Sequence, residues 1–168
     1  MAAVDLDELR WDYWAEIGYD ADHARDLRQR HGVRAMAEYW KPFEVHGVER
    51  VLADRARGHV IAFGGGQSVY EDQAQFARVR AALRPFPYVV LLLPCRDPAE
   101  ALKILTGRLR KDRSPTEAGA AAAEQFREIN RTFIEHPSNA RLATHTVLTA
   151  DRTPEQSSGE IAALVRGG

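Results

Sequence analysis

Four short stretches of this sequence carry residue types able to do chemistry. "VDLDEL" (4–9) sets Asp5 and Asp7 at i and i+2, the same side of an extended segment. Two neighbouring carboxylates repel, so such a pair commonly has a cation, a substrate hydroxyl or water between them; the alternative is a solvated stretch with an acidic first helical turn. "YWKPFE" (39–44) spaces Lys41 and Glu44 one helical turn apart. On its own that spacing is a surface ion pair worth roughly a few tenths of a kcal/mol. The triplet Gly64, Gly65 and Gly66 follows an apolar run directly. Successive glycines either present backbone N–H groups to an anion or hydroxylated ligand, or make a turn with close helix–sheet packing. "GRLRKDR" (107–113) gathers Arg108, Arg110 and Arg113 near a helix end, where they favour its dipole or close over phosphates.

The elements that must position these groups are legible in outline. "HVIAF" (59–63) and "YVVLLL" (88–93) read as strands buried on both faces, and "THTVLTA" (144–150) as a weaker third. Asp97 and Pro98 open a helix as N-cap and first residue. Ser114, Pro115 and Glu117 do so at the head of an Ala-rich stretch, and Thr153, Pro154 and Gln156 at the head of a last helix reaching about Val165. A long helical stretch covers roughly 34–56, with Pro42 starting or kinking a helix inside it. Strands alternating with crossover-length helices predict an α/β fold with a parallel sheet and helices on both faces. Ligands of such sheets bind beyond the carboxyl ends of the strands, where the glycine triplet falls.

Bulk properties narrow the function classes. The 168 residues are the size of one domain, expected to span 1–168. Net charge is −1 with Lys and Arg dispersed, which argues against a nucleic-acid or membrane-surface partner held by cationic excess. The single cysteine, Cys95, forms no internal disulfide and reads as a buried structural thiol in a reducing, cytoplasmic setting. No apolar run approaches the ~20 residues of a membrane span. The six histidines lack metal-ligand spacing, and Trp11, Trp14 and Trp40 read as core or as the rim of a substrate pocket.

Taken in order, "VDLDEL", "WKPFE", "HVIAFGGG", "YVVLLLPCRDPAEALKILTGRL", an Arg-containing segment and the terminal "TPEQSSGEIAAL" resemble the shikimate kinase family, P-loop small-molecule kinases, over nearly the whole chain. The resemblance implies a three-layer sandwich around a parallel sheet, ATP and Mg²⁺ as cofactors, and phosphoryl transfer to the hydroxyl of a small hydroxylated substrate. It implies Asp5 near Mg²⁺, and Asp7 holding substrate hydroxyls and assisting deprotonation of the attacked one. Gly64, Gly65 and Gly66 would offer backbone contacts to the substrate. Lys41 falls where the family has a carboxylate-binding Arg, and Arg108, Arg110 and Arg113 fall in the adenine-facing and lid region.

Departures from the family pattern bear on activity. No G-x-x-x-x-G-K-[ST] stretch, whose amides and Lys hold phosphates, occurs in the sequence. The expectation is a shikimate-kinase-like domain shortened at its N-terminus, lacking the first, central strand and the P-loop, through a misplaced start or a true truncation. Phosphoryl transfer would then be impaired, and the alternative is a non-catalytic binding module that retains the substrate half. Lys for Arg is not neutral at a bidentate site. Glu135 stands where the family has a second substrate Arg, so that cation is missing or is supplied by Arg131 or Arg141.

Overall fold

The structure, a computed structural model, describes residues 2–111 and 127–167. They divide into two compact units, Met1–Pro85 and Phe86–Gly168.

In the first unit β1 (Ala2–Asp5) leads directly into α1 (Leu6–Ala15). Next come the long α2 (Ala21–Asp54), β2 (His59–Ala62), a 3₁₀ turn (Gly65–Ser68) and α3 (Gln73–Leu83). β1 and β2 pair in parallel, with Ala2 opposite His59 and Asp5 opposite Ala62. Asp20 caps α2, its Oδ1 accepting from the Asp22 and His23 amides at 2.8 and 3.0 Å. The helical ladder breaks once, at Gly32, whose φ of 84° favours glycine. The helix expected over 34–56 is the part of α2 beyond this break, and it runs through Pro42 unbroken. Its apolar face buries Val45, Val48 and Val51 completely. Trp14 and Leu6 of α1 and Val79 of α3 are equally dry, so the core of this unit lies between α2 and its two neighbouring helices.

In the second unit β3 (Val90–Leu93) is followed by α4 (Pro98–Lys111). A helical segment over 127–135, here α5, then leads through α6 (Pro137–Leu142) to β4 (His145–Leu148) and α7 (Pro154–Gly167). β3 and β4 pair in parallel from Val90 opposite His145 to Leu93 opposite Leu148. The caps expected from sequence form. Asp97 Oδ1 accepts from the Glu100 amide at 2.7 Å. The Thr153 amide donates to Gln156 Oε1 at 2.8 Å, and the Gln156 amide to Thr153 Oγ1 at 3.3 Å. The Ser114–Pro115–Glu117 pattern lies outside the described residues.

Two expectations are corrected. The strands are not buried on both faces: Val60 and Leu92 are 52% and 53% exposed. Each sheet has two strands, and the apolar residues that a wider, doubly covered sheet would bury stay in water. Cys95 is half-buried rather than sealed in the core, and its Sγ–H donates to the Asp97 carbonyl at 3.3 Å. Among the described residues no helix is long and apolar enough to cross a membrane.

Candidate functional site

A cluster of charged and backbone groups forms in the first unit where β1 and β2 end. Pairing of Asp5 with Ala62 brings the first turn of α1 beside the glycine loop that follows β2. Asp5 and Asp7 do not stand together on an extended segment, because the strand stops at Asp5. Asp5 is instead the N-cap of α1, its Oδ1 accepting from the Asp7 amide at 2.8 Å. That geometry turns the Asp7 carboxylate toward the loop.

Asp7 Oδ1 accepts two hydrogen bonds, from Gln67 Nε2 at 2.9 Å and from Arg10 Nη1 at 3.2 Å. Oδ2 faces Gly64: a Cβ built there would lie 2.7 Å from Oδ2 and 2.9 Å from Oδ1. Real Cβ atoms do not approach oxygen so closely, so glycine is required for the loop to pass the carboxylate. Gln67 fixes the loop in this position. It is 2% exposed, and its Oε1 accepts from the Gly64 amide at 2.6 Å while its Nε2 holds Asp7. The Gln67 carbonyl in turn accepts from the buried Tyr70 hydroxyl at 2.7 Å.

A second charge pair braces the loop from α2. Lys41 Nζ donates to Glu44 Oε2 at 2.6 Å and to the Gly66 carbonyl at 2.7 Å, and it lies 5.4 Å from the Tyr70 ring centroid. Spacing alone read Lys41 and Glu44 as a surface pair, but Glu44 is only 6% exposed. Burial pushes the Glu44 carboxyl above its usual range, while the Lys41 ammonium pulls it back. Its carboxylate sits against Gly66, leaving no room there for a Cβ. The Tyr70 hydroxyl is held far above its ordinary range by burial and the nearby Glu44 and Glu49 charges, so it serves as a neutral donor.

Arg10 completes the cluster. One turn beyond Asp7 on α1, its guanidinium carbon lies 4.6, 5.6 and 5.7 Å from the ring centroids of Trp11, Trp14 and Trp40. Its Nε is buried without a hydrogen-bond partner. Trp14 is wholly buried and Trp11 is 46% exposed, so the three indoles run from core to rim. Chemically, the site offers a carboxylate oxygen free to accept, a glycine-lined backbone edge, a guanidinium on an aromatic platform and an exposed indole face.

Asp7, Lys41, Gly64 and Gly66 are thus brought together, and Gly65 starts the 3₁₀ turn, its carbonyl accepting from Ser68 Oγ at 3.2 Å. Asp5 caps α1 as described, and Arg108, Arg110 and Arg131 belong to the second unit. Arg131 pairs with Glu128 at 3.2 Å, and Arg108 Nη2 donates to the Thr149 carbonyl at 3.3 Å. Arg110 lies in α4, and Arg113 is outside the described residues. Among the described residues no three His, Cys, Asp or Glu side chains converge for a metal. With one capping carboxylate at Asp5 and no phosphate loop in the sequence, these residues do not by themselves assemble a site for Mg²⁺ and ATP. Sequence reasoning missed Arg10 and Gln67 as site residues. Arg10 carried a signal, a cation three residues after Asp7 among tryptophans; Gln67 carried none beyond adjacency to the triplet.

Fold and site together define a helix-rich α/β protein with small parallel sheets and a polar cluster beyond the strand ends of the first. The chain is similar to Shikimate kinase 2 of Enterobacter sp. (strain 638), with 25% identity over 149 residues, covering 88% of this chain and 79% of that one. No family model matches the sequence. No solved structure matches it either.

Proposed function

We propose that this chain is a small-molecule kinase of the shikimate-kinase type, and that the Asp7–Gly64–Gln67 cluster is its acceptor site. The observation that carries the reading is the apposition of Asp7 Oδ2 and Gly64, with both protein donors on the other carboxylate oxygen. Oδ2 is left to accept from a substrate hydroxyl and to draw its proton as that oxygen attacks a phosphoryl group. The Gly64–Gly66 backbone lines the same space, and Lys41 stiffens it through the Gly66 carbonyl. Similarity to a shikimate kinase over most of the chain supports the same class of acceptor. ATP and Mg²⁺ would supply the phosphoryl group and neutralise its charge. Asp5, Arg108, Arg110 and Arg113 are the positions that the family resemblance assigns to their neighbourhood.

A second reading is favoured by one observation, the absence of G-x-x-x-x-G-K-[ST] from the 168 residues. In it the chain is a non-catalytic module that binds the acceptor and does not handle nucleotide. A phosphoryl-transfer assay with ATP, Mg²⁺ and shikimate, run beside calorimetry of each ligand alone, separates the two. Turnover above background establishes the kinase. Shikimate binding without ATP binding or turnover establishes the module. Failure to bind shikimate or any related hydroxy acid sinks both.

A further inference from the structure

Among the described residues the site holds two cations, Lys41 and Arg10, and they differ in how far the protein itself commits them. Lys41 Nζ has two of its three donors committed, to Glu44 Oε2 and to the Gly66 carbonyl. Glu44 is almost wholly buried, so drawing Lys41 away would strand a carboxylate out of water, a strongly unfavourable change. Lys41 is therefore held by the protein itself.

Arg10 is placed differently. A guanidinium has five N–H donors, yet among the described residues Arg10 makes one hydrogen bond, the 3.2 Å contact from Nη1 to Asp7 Oδ1. Its Nε is dry and unpaired, a state that costs free energy unless another interaction offsets it. The indoles of Trp11, Trp14 and Trp40 hold the guanidinium plane by cation–π contact and, unlike a carboxylate, do not consume its N–H groups. Arg10 also lies one helical turn from Asp7, so one small molecule can present a hydroxyl to Asp7 Oδ2 and an anionic group to Arg10. The exposed face of Trp11 gives the ring of such a molecule an apolar wall.

We infer that Arg10, not Lys41, is the anion-recognising, specificity-determining residue of this site, selecting a hydroxylated molecule that bears a carboxylate, while Lys41 is a positioning residue for the glycine loop. The inference rests on reading the Asp7–Gly64 cluster as an acceptor site. An arginine fork reads a planar carboxylate bidentately, which an ammonium does not, so the two cations are not interchangeable in this role.

The test is a titration of the whole chain by calorimetry with two acid–ester pairs, shikimate and its methyl ester, and 3-hydroxybenzoate and its methyl ester. Wild type, Arg10→Gln, Arg10→Lys and the double variant Lys41→Met/Glu44→Gln are compared, with a thermal melt of each to confirm folding. The expected result is that wild type prefers at least one acid to its ester by roughly 10- to 100-fold, the range of a charge-assisted hydrogen bond. Arg10→Gln abolishes that preference, Arg10→Lys keeps part of it, and the double variant retains it. A preference that survives in Arg10→Gln, or one that vanishes in the double variant, overturns the inference and leaves the acceptor-site reading standing. Equal binding of acids and esters by wild type does the same. Binding of none of the four probes overturns the acceptor-site reading, and the inference with it.

Discussion

Lys41 Nζ stands 2.6 Å from Glu44 Oε2 at a place where the carboxylate is shut off from water and the ammonium is not. The asymmetry dictates what each single substitution does. Lys41→Met leaves the buried Glu44 carboxylate without its hydrogen-bonded partner and is expected to cost about 3–5 kcal/mol at neutral pH. Glu44→Gln keeps the volume and leaves the partly exposed ammonium to solvent, so its cost is smaller. Lys41→Met/Glu44→Gln is expected to be more stable than Lys41→Met alone. Because burial raises the Glu44 carboxyl, the folded state takes up a proton at higher pH than the unfolded chain. The penalty of Lys41→Met therefore shrinks as pH falls from neutral toward the ordinary carboxylate range. Urea melts of the three variants at several pH values check both points, and a pH-independent penalty would refute the assignment.

The glycine loop gives a graded prediction. At Gly64 a new Cβ meets the end of one short side chain, Asp7, which can swing away. Gly64→Ala is expected to destabilise by about 1–3 kcal/mol and to abolish acceptor binding, since Asp7 must leave Gln67 and Arg10. At Gly66 the Cβ meets the buried Glu44 carboxylate, pinned by Lys41, and nothing can yield cheaply. Gly66→Ala is expected to cost more than Gly64→Ala in the same denaturant melt. The reverse order would show that the loop is not braced as described.

Gln67 joins three elements through one amide. Gln67→Leu preserves bulk but leaves the Gly64 N–H without its acceptor and Asp7 Oδ1 without its nearer donor. The expected loss is about 1–3 kcal/mol, with faster hydrogen exchange at the Gly64 amide. Tyr70→Phe, which removes the hydroxyl that donates to the Gln67 carbonyl, is expected to cost less. Unchanged exchange at Gly64 in Gln67→Leu would contradict the clamp.

Outside the site, Glu16 at the end of α1 ties that helix to α2. Its carboxylate accepts from Arg50 Nε at 2.9 Å and pairs with His46 Nε2 at 2.8 Å. Hydrogen bonds from Arg50 and then His46 hold its carboxyl below the usual range. A depressed carboxyl contributes stability above the ordinary carboxylate range and loses it as pH falls through the lower folded value. Glu16→Gln is accordingly expected to lower the melting temperature slightly at pH 7, and the difference to close as pH falls below the ordinary carboxylate range. A difference constant across that window would place the effect elsewhere.

Much of this protein is determined by local sequence. Short β-branched runs, the Asp97 and Thr153 caps and the α/β alternation all depend on residues within a few positions of one another, and each forms where the sequence places it. The glycine triplet and Asp7 were likewise visible as groups able to do chemistry, because chemistry resides in residue types. Tertiary structure decided what those groups touch. Lys41 and Glu44 read as a surface pair until α2 packed against the loop 25 residues after Lys41 and buried the carboxylate. The role of Gln67 needed a contact spanning 60 residues to Asp7, and that of Arg10 needed Trp40 brought over α1. Sequence spacing encodes turns and periodicities, whereas burial and long-range hydrogen bonds are properties of the packed chain. Which cation is free for a ligand depends on the latter alone.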